Sequence, residues 1–387
     1  MDQQGFFGAS DFETPGDALR FLLEERGWTQ EEFGFIAGVS RQTIAQIIAN
    51  KSGITPEMAI SFGAAFGFPA AQWLSLDARY RLGQVRSDAG EVGHRAKVYS
   101  VAPVREMQKR GWIKDTRDIA SIESDLKRFF GVDDLDAIPP ISVATRRSTA
   151  HDTRLTPVQR AWCFRARELA SALQVPAFKG DDAETRTLWM KLRELAAYTK
   201  EARHVPRLLQ EHGIRFVVVE PLPGAKIDGA TFWLGPTQPV VAISVRFDRI
   251  DNFWFTVMHE CSHVLHGDTF SLDVDIEGYE QVSKADPDMA ACEQRANIEA
   301  SGYLISKSEL ESFIGRVAAL FSKERIIQFA HATRIHPGII VGQLQHRGEL
   351  HPGSNKDLIS KVREVITETA LTDGWGKFVS QASLGSV

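Results

Sequence analysis

The stretch Phe253-Trp254-Phe255-Thr256-Val257-Met258-His259-Glu260-Cys261-Ser262-His263-Val264-Leu265 constrains this chain more than any other. It is apolar over most of its length and lacks the period-two alternation of a half-buried strand, so it predicts a buried helix. Asp251 suits the N-cap. Gly267 suits a left-handed stop just past the last turn. The predicted helix therefore runs from about residue 251 to residue 266. Its apolar residues surround two histidines, as a dry metal site requires.

The five residues His259-Glu260-Cys261-Ser262-His263 form an H-E-x-x-H. Positions i and i+4 of a helix lie one above the other, so both imidazoles reach one ion. Glu260 then stands beside the open coordination position, placed to take a proton from a metal-activated water. This pattern points to metal-assisted peptide hydrolysis. The alternative is a buried helix with two hydrogen-bonded histidines. A catalytic zinc site usually needs a third protein ligand. Glu293 is the leading candidate, on a helix whose apolar positions Ala296, Ala300, Tyr303 and Leu304 recur at three- and four-residue spacing. Asn297 shares the face of Glu293 and is expected to orient a histidine. Glu299 and Asp288 are weaker ligand candidates. His266 is expected at the surface or behind the ligands, and Cys261 is either a soft ligand or a buried small hydrophobe.

An H-E-x-x-H helix followed by a helix opening Glu-x-x-Ala-Asn resembles the ImmA/IrrE metallopeptidase family. The run Arg246–Thr256 resembles the approach to the active helix in members fused to DNA-binding domains. The similarity covers roughly residues 155–310. It implies a zincin-like domain in which Zn2+ is bound by His259, His263 and Glu293, with Glu260 as catalytic base. Three strand-like runs precede the helix: 213–219, 229–234 and 239–245. Their turn residues predict a small, largely antiparallel sheet. Zinc peptidases commonly hold substrate extended against an edge strand, and the second and third runs are both candidates for it. Tyr303, His204, His331, His336, His346 and His351 are the candidates for stabilising an oxyanion.

The N-terminal region carries a second readable module. Thr14-Pro15-Gly16 opens a helix ended by Gly27. Thr29-Gln30-Glu31-Glu32 is a capping box opening a helix expected to turn Phe33, Ile36 and Ala37 inward. Gly38-Val39-Ser40 turns into a helix over 41–51, and Thr55-Pro56-Glu57 caps the next. A fifth follows over 68–80. Residues 14–82 resemble the Cro/C1-type helix-turn-helix of HigA-like antitoxins through Gly27-Trp28-Thr29-Gln30, Val39–Thr43, Ile54–Ala59 and Trp73–Tyr80. The resemblance implies a helix from Ser40 in the major groove of operator DNA. Arg41, Gln42, Thr43 and Gln46 would face bases, with Asn50 and Lys51 near phosphates.

Charge runs against bulk polyanion binding. The chain is −5 overall, and residues 11–80 hold nine acidic and five basic side chains. DNA affinity draws heavily on phosphate neutralisation. The segment 40–51, however, carries Arg41 and Lys51 and no acid. The three cysteines leave one unpaired in any disulfide scheme and indicate a reducing cytoplasm. No apolar stretch reaches the roughly 18 residues of a membrane span.

These readings predict a mostly α chain with a small β-sheet, of α+β class. Residues 1–85 are expected as an all-α helix-turn-helix domain and 86–155 as a helical connector, with a linker at 133–153. Residues 156–310 are the zincin-like domain and 311–387 a C-terminal helical region. The expected function is a DNA-binding regulator, a homodimer, coupled to a zinc endopeptidase that cleaves a partner protein. The alternative is a HigA-like antitoxin whose peptidase-like domain docks a cognate toxin or senses a signal without turnover.

Overall fold

A computed structural model describes residues 12–84, 89–141, 155–274, 287–317 and 320–379. The chain is α+β and divides into two compact units, 1–93 and 94–387. Among the described residues no helix is long and apolar enough to cross a membrane.

The first unit is built from α1 (Pro15–Arg26), α2 (Gln30–Ala37), α3 (Arg41–Ile48), α4 (Pro56–Phe66) and α5 (Ala70–Gln84). Each boundary follows from local chemistry. Thr14, Ser40 and Thr55 accept a backbone N–H from the first turn, and Thr29 with Glu32 forms a reciprocal capping box. Gly27, Gly38 and Gly67 end helices in the left-handed region. Gly34 matters for another reason: a Cβ there would lie 2.7 Å from the Val39 carbonyl, so the α2–α3 turn closes only over glycine. Leu19, Phe33, Ile44, Phe62 and Trp73 fill the core, with Phe33 and Phe66 ring centroids 4.7 Å apart. Ile36 departs from expectation. The buried face of α2 is Phe33, Gly34 and Ala37, which turns Phe35 and Ile36 outward.

The second unit is three-layered. It begins within α6 (Ala89–Val101), which spans the division at residue 93; α7 (Val104–Lys109), α8 (Ile119–Phe130) and α9 (Pro157–Ser171) follow, then α10 (Asp182–Leu195) and α11 (Val205–Glu211). Strands β1 (Arg215–Val219), β2 (Ile227–Trp233) and β3 (Pro239–Ile243) lead to α12 (Ile250–Leu265) and β4 (Phe270–Val274). Helices α13 (Pro287–Leu304), α14 (Lys307–Val317), α15 (Lys323–Thr333), α16 (Pro337–His346) and α17 (Arg363–Thr367) precede β5 (Leu371–Asp373). The sheet order is β4-β2-β3-β1-β5. Strand alternation sorts two cores. Phe216, Val218, Val241 and Ile243 face α12, while Val217, Val219, Val240 and Ala242 face α9.

Several expectations are corrected. The sheet is mixed rather than largely antiparallel: β1 pairs in parallel with both β3 and β5. Both faces are covered by helices, the condition under which parallel pairing is stable. Neither β2 nor β3 is an edge, because β4 pairs with β2 on its outer side. The expected connector and C-terminal region are not separate bodies. Val98, Met107, Trp112 and Ile122 share one core with Trp162 and Val217, and Ile326, Ile340 and Ile366 share the other with α12. Within the expected linker, Leu135 and Ile141 are buried, and 142–154 lies outside the described residues. Helix α12 starts at Ile250, so Asp251 sits in its first turn and holds Arg249 instead of capping.

Candidate functional site

Helix α12 buries His259, Glu260 and His263, which are 1 %, 0 % and 1 % exposed. The four-residue spacing brings the two imidazoles together edge to face, with His259 Nε2 3.0 Å from His263 Nε2. Helix α13 crosses α12 and delivers Glu293, whose carboxylate lies 3.1 Å from His259 Nε2 and 3.5 Å from His263 Nε2. A tetrahedral ion with bonds of about 2.0–2.1 Å separates its ligands by about 3.3 Å, so these three donors suit a small divalent cation.

A second ring of contacts fixes the three. Asn297, one turn after Glu293, places Oδ1 3.1 Å from His259 Nδ1. His263 Nδ1 lies 2.8 Å from the Asp268 carboxylate, and Arg295 donates to the same Asp268 oxygen. Ser271 on β4 donates to Glu293 at 2.8 Å. Glu260 turns to the sheet. Thr231 Oγ1 stands 2.7 Å from Glu260 Oε2 and 3.0 Å from its backbone carbonyl oxygen. A Cβ on Gly229 would come within 2.6 Å of Glu260 Oε1, so the carboxylate packs directly against β2 backbone.

Asp268 and Thr231 went unread in the sequence. The signal for Asp268 was present in Gly267. The Gly267 N–H donates to the Val264 carbonyl and the Asp268 N–H to the His263 carbonyl, which reverses the chain and aims Asp268 back at His263. Thr231 has no local signal, because it acts across the sheet–helix interface.

The electrostatics match the geometry. Burial opposes a charged His263, but the Asp268 and Glu293 carboxylates outweigh it and push its pKa up to about 9. Burial also works against an ionised Glu293, yet both histidines hold it well below the usual carboxylate range. Burial, with Glu260 adjacent, pushes the Cys261 thiol far up. Cys261 packs in the apolar core and is not one of the three grouped donors.

The other candidates fall elsewhere. Glu299 accepts from Ser262 and lies 2.9 Å from His266, pinning α13 to α12 away from the three donors. The Asp288 side chain lies outside the described residues. Tyr303 stacks on Trp189 at 4.2 Å, His204 lies by Glu201, and His336 is held by Thr199 and Ser360. His331, His346 and His351 are exposed.

On the first unit, Arg41, Gln42, Gln46 and Lys51 are exposed on or just after α3. Thr43 is partly covered and closes the Ser40 cap. Asn50, expected near a phosphate, is partly exposed and engaged within its own unit. It adopts a positive φ and turns inward, accepting from the Gly16 N–H and donating to Thr14.

Comparison with known proteins bears on this first unit. Residues 19–73 match the helix-turn-helix family. An uncharacterized HTH-type transcriptional regulator, YddM of Escherichia coli (strain K12), is 29 % identical over 70 residues, covering 18 % of this chain and 74 % of that protein. The N-terminal unit of this chain therefore carries a Cro/C1-type helix-turn-helix.

Proposed function

We propose that this chain is an operator-binding transcriptional regulator joined to a zinc-dependent endopeptidase that cleaves a partner regulatory protein. One observation carries the enzymatic half: the ligand atoms of His259, His263 and Glu293 lie within 4.8 Å of one another, and Glu260 follows His259 on the same helix. Zinc held by His259, His263 and Glu293 would supply Lewis-acid activation of water and of a peptide carbonyl. Glu260 accepts the proton from the attacking water and delivers it to the leaving amine. Asn297 and Asp268 hold the imidazole rings in the orientation that presents Nε2. The helix-turn-helix supports the regulatory half, with Arg41, Gln42 and Gln46 reading bases in a homodimer matched to two half-sites.

A second reading keeps the centre as a structural staple in an antitoxin-type repressor. Its support is the burial of Glu260, whose carboxylate is engaged by Thr231. The two separate in one experiment. Metal analysis of the full chain is expected to return about one zinc per chain, in the wild type and in Glu260→Gln alike. Quantitative proteomics of the native host is expected to show a fragment pair in the wild type that vanishes with Glu260→Gln. Zinc without any Glu260-dependent fragment supports the second reading, and absence of zinc ends the first.

A further inference from the structure

A cavity of about 920 Å3 lies beside α12 and α13, with Phe255 and Asn297 in its lining. Its size falls in the range of small-molecule sites, about 300–1,000 Å3. The wall is apolar: Phe255, Ile298, Leu304, Leu310 and Ile339. Lys307, His346 and Arg347 are exposed along its rim. Asp251 is the sole acid among the described lining residues, and Arg249 holds both its oxygens at 3.1 and 2.7 Å. Glu311, outside the lining, makes only long contacts, 3.5 Å to Arg347 and 3.9 Å to Lys307. These leave most rim donors open to an anion. Asn252, Gln294, Asn297, Ser301 and Gln343 add polar side chains to the lining. Asn297 lines the cavity and holds His259 Nδ1, while the Phe255 ring centroid is 5.9 Å from that of His259.

We propose that this cavity binds a small amphipathic carboxylate, its chain along the apolar wall and its head at Lys307 and Arg347, and that occupancy is transmitted to His259 through Asn297. A ligand that displaces the Asn297 amide changes the hydrogen bond that sets the imidazole's orientation. Binding and imidazole state are then linked reciprocally. Transmission to a bound metal rests on the zinc reading above; the binding itself does not.

Calorimetry on the full, metal-stripped chain tests it with decanoate against decyltrimethylammonium, both below micelle formation. Decanoate is expected to bind at least tenfold more tightly than the cation. Gly302→Leu adds an apolar side chain at an exposed lining position whose Cβ meets no atom within 4 Å outside its own helix, so it narrows the cavity. It is expected to weaken decanoate at least tenfold, and Arg347→Glu to abolish the preference for the anion. The His259 imidazole nitrogen resonances are expected to move on decanoate addition, and to stay fixed in Asn297→Ala. No decanoate binding, equal binding of both probes, or indifference to both rim and wall variants would overturn the site. Resonances that do not move, or that move equally in Asn297→Ala, overturn the transmission. Because no metal is used, these outcomes are distinct from failure of the zinc reading.

Discussion

The chain reversal at Gly267 sets Asp268 against His263, and the consequences are measurable at single residues. Asp268→Asn keeps a hydrogen-bonding side chain but removes its charge. It is expected to lower zinc affinity about 10–100-fold in a chelator competition, with Glu293 and His259 still in place. His263 also makes the metal-free protein pH-sensitive. Its folded pKa of about 9 lies above the ordinary 6.5, so its stabilisation is full below about pH 6.5 and is lost as pH rises through 9. Urea unfolding of the stripped protein is expected to give lower stability at pH 9.5 than at pH 6, by at least about 1 kcal/mol. If zinc binds as proposed, its uptake at pH 7 is expected to release about one proton from His263, read by calorimetry in buffers of different ionisation enthalpy. Gly229 is the counterpart on the sheet. Gly229→Ala forces a Cβ onto Glu260 Oε1 and Thr256 Cγ2. The expected cost is about 1–3 kcal/mol, with zinc content retained and Glu260-dependent cleavage reduced more than tenfold.

Among elements, β5 makes the strongest demand on the rest of the chain. It comes from the last described residues, pairs with β1, and ends at Asp373, which is fully buried. Arg165 of α9 meets that carboxylate, donates to the Val379 carbonyl and also holds Glu168. Breaking a buried pair by removing one partner strands the other charge. Arg165→Met is expected to destabilise the second unit by about 3–5 kcal/mol, read as a lower urea midpoint with the first unit unaffected. Strand β4 has the opposite character. It lies on the outer side of β2 and sends Ser271 to Glu293, so the strand edge nearest the centre also carries a contact to the third donor.

At the scale of the molecule, two units with separate cores imply separable activities. Residues 1–93 alone are expected to fold and to retard operator DNA, and Gln42→Ala to lower sequence preference more than total affinity. With nine acids against five bases between 11 and 80, log affinity is expected to fall only shallowly with log salt. The sequence by itself determined whatever depends on neighbours within a turn or two. The caps at Thr14, Thr29, Ser40 and Thr55, the glycine stops, the buried α12 and the placing of His259 and His263 on one face of it all follow from spacing within single helices. Glu293 and Asn297 were legible as a shared face of a second helix, and their expected meeting with the histidines came from the need for a third ligand and from the family resemblance, not from local spacing. Tertiary structure alone decided that helix's placement across α12, the mixed order of the sheet, and the merging of residues 94–141 and 310–366 into the cores around it. It also turned Asn50 inward and brought Thr231 to Glu260, 29 residues away. The physical reason is common to these cases. Local hydrogen bonds and helical period are set by adjacent residues, whereas pairing across a sheet or between helices is set by which apolar faces bury each other, and many partners satisfy the same pattern.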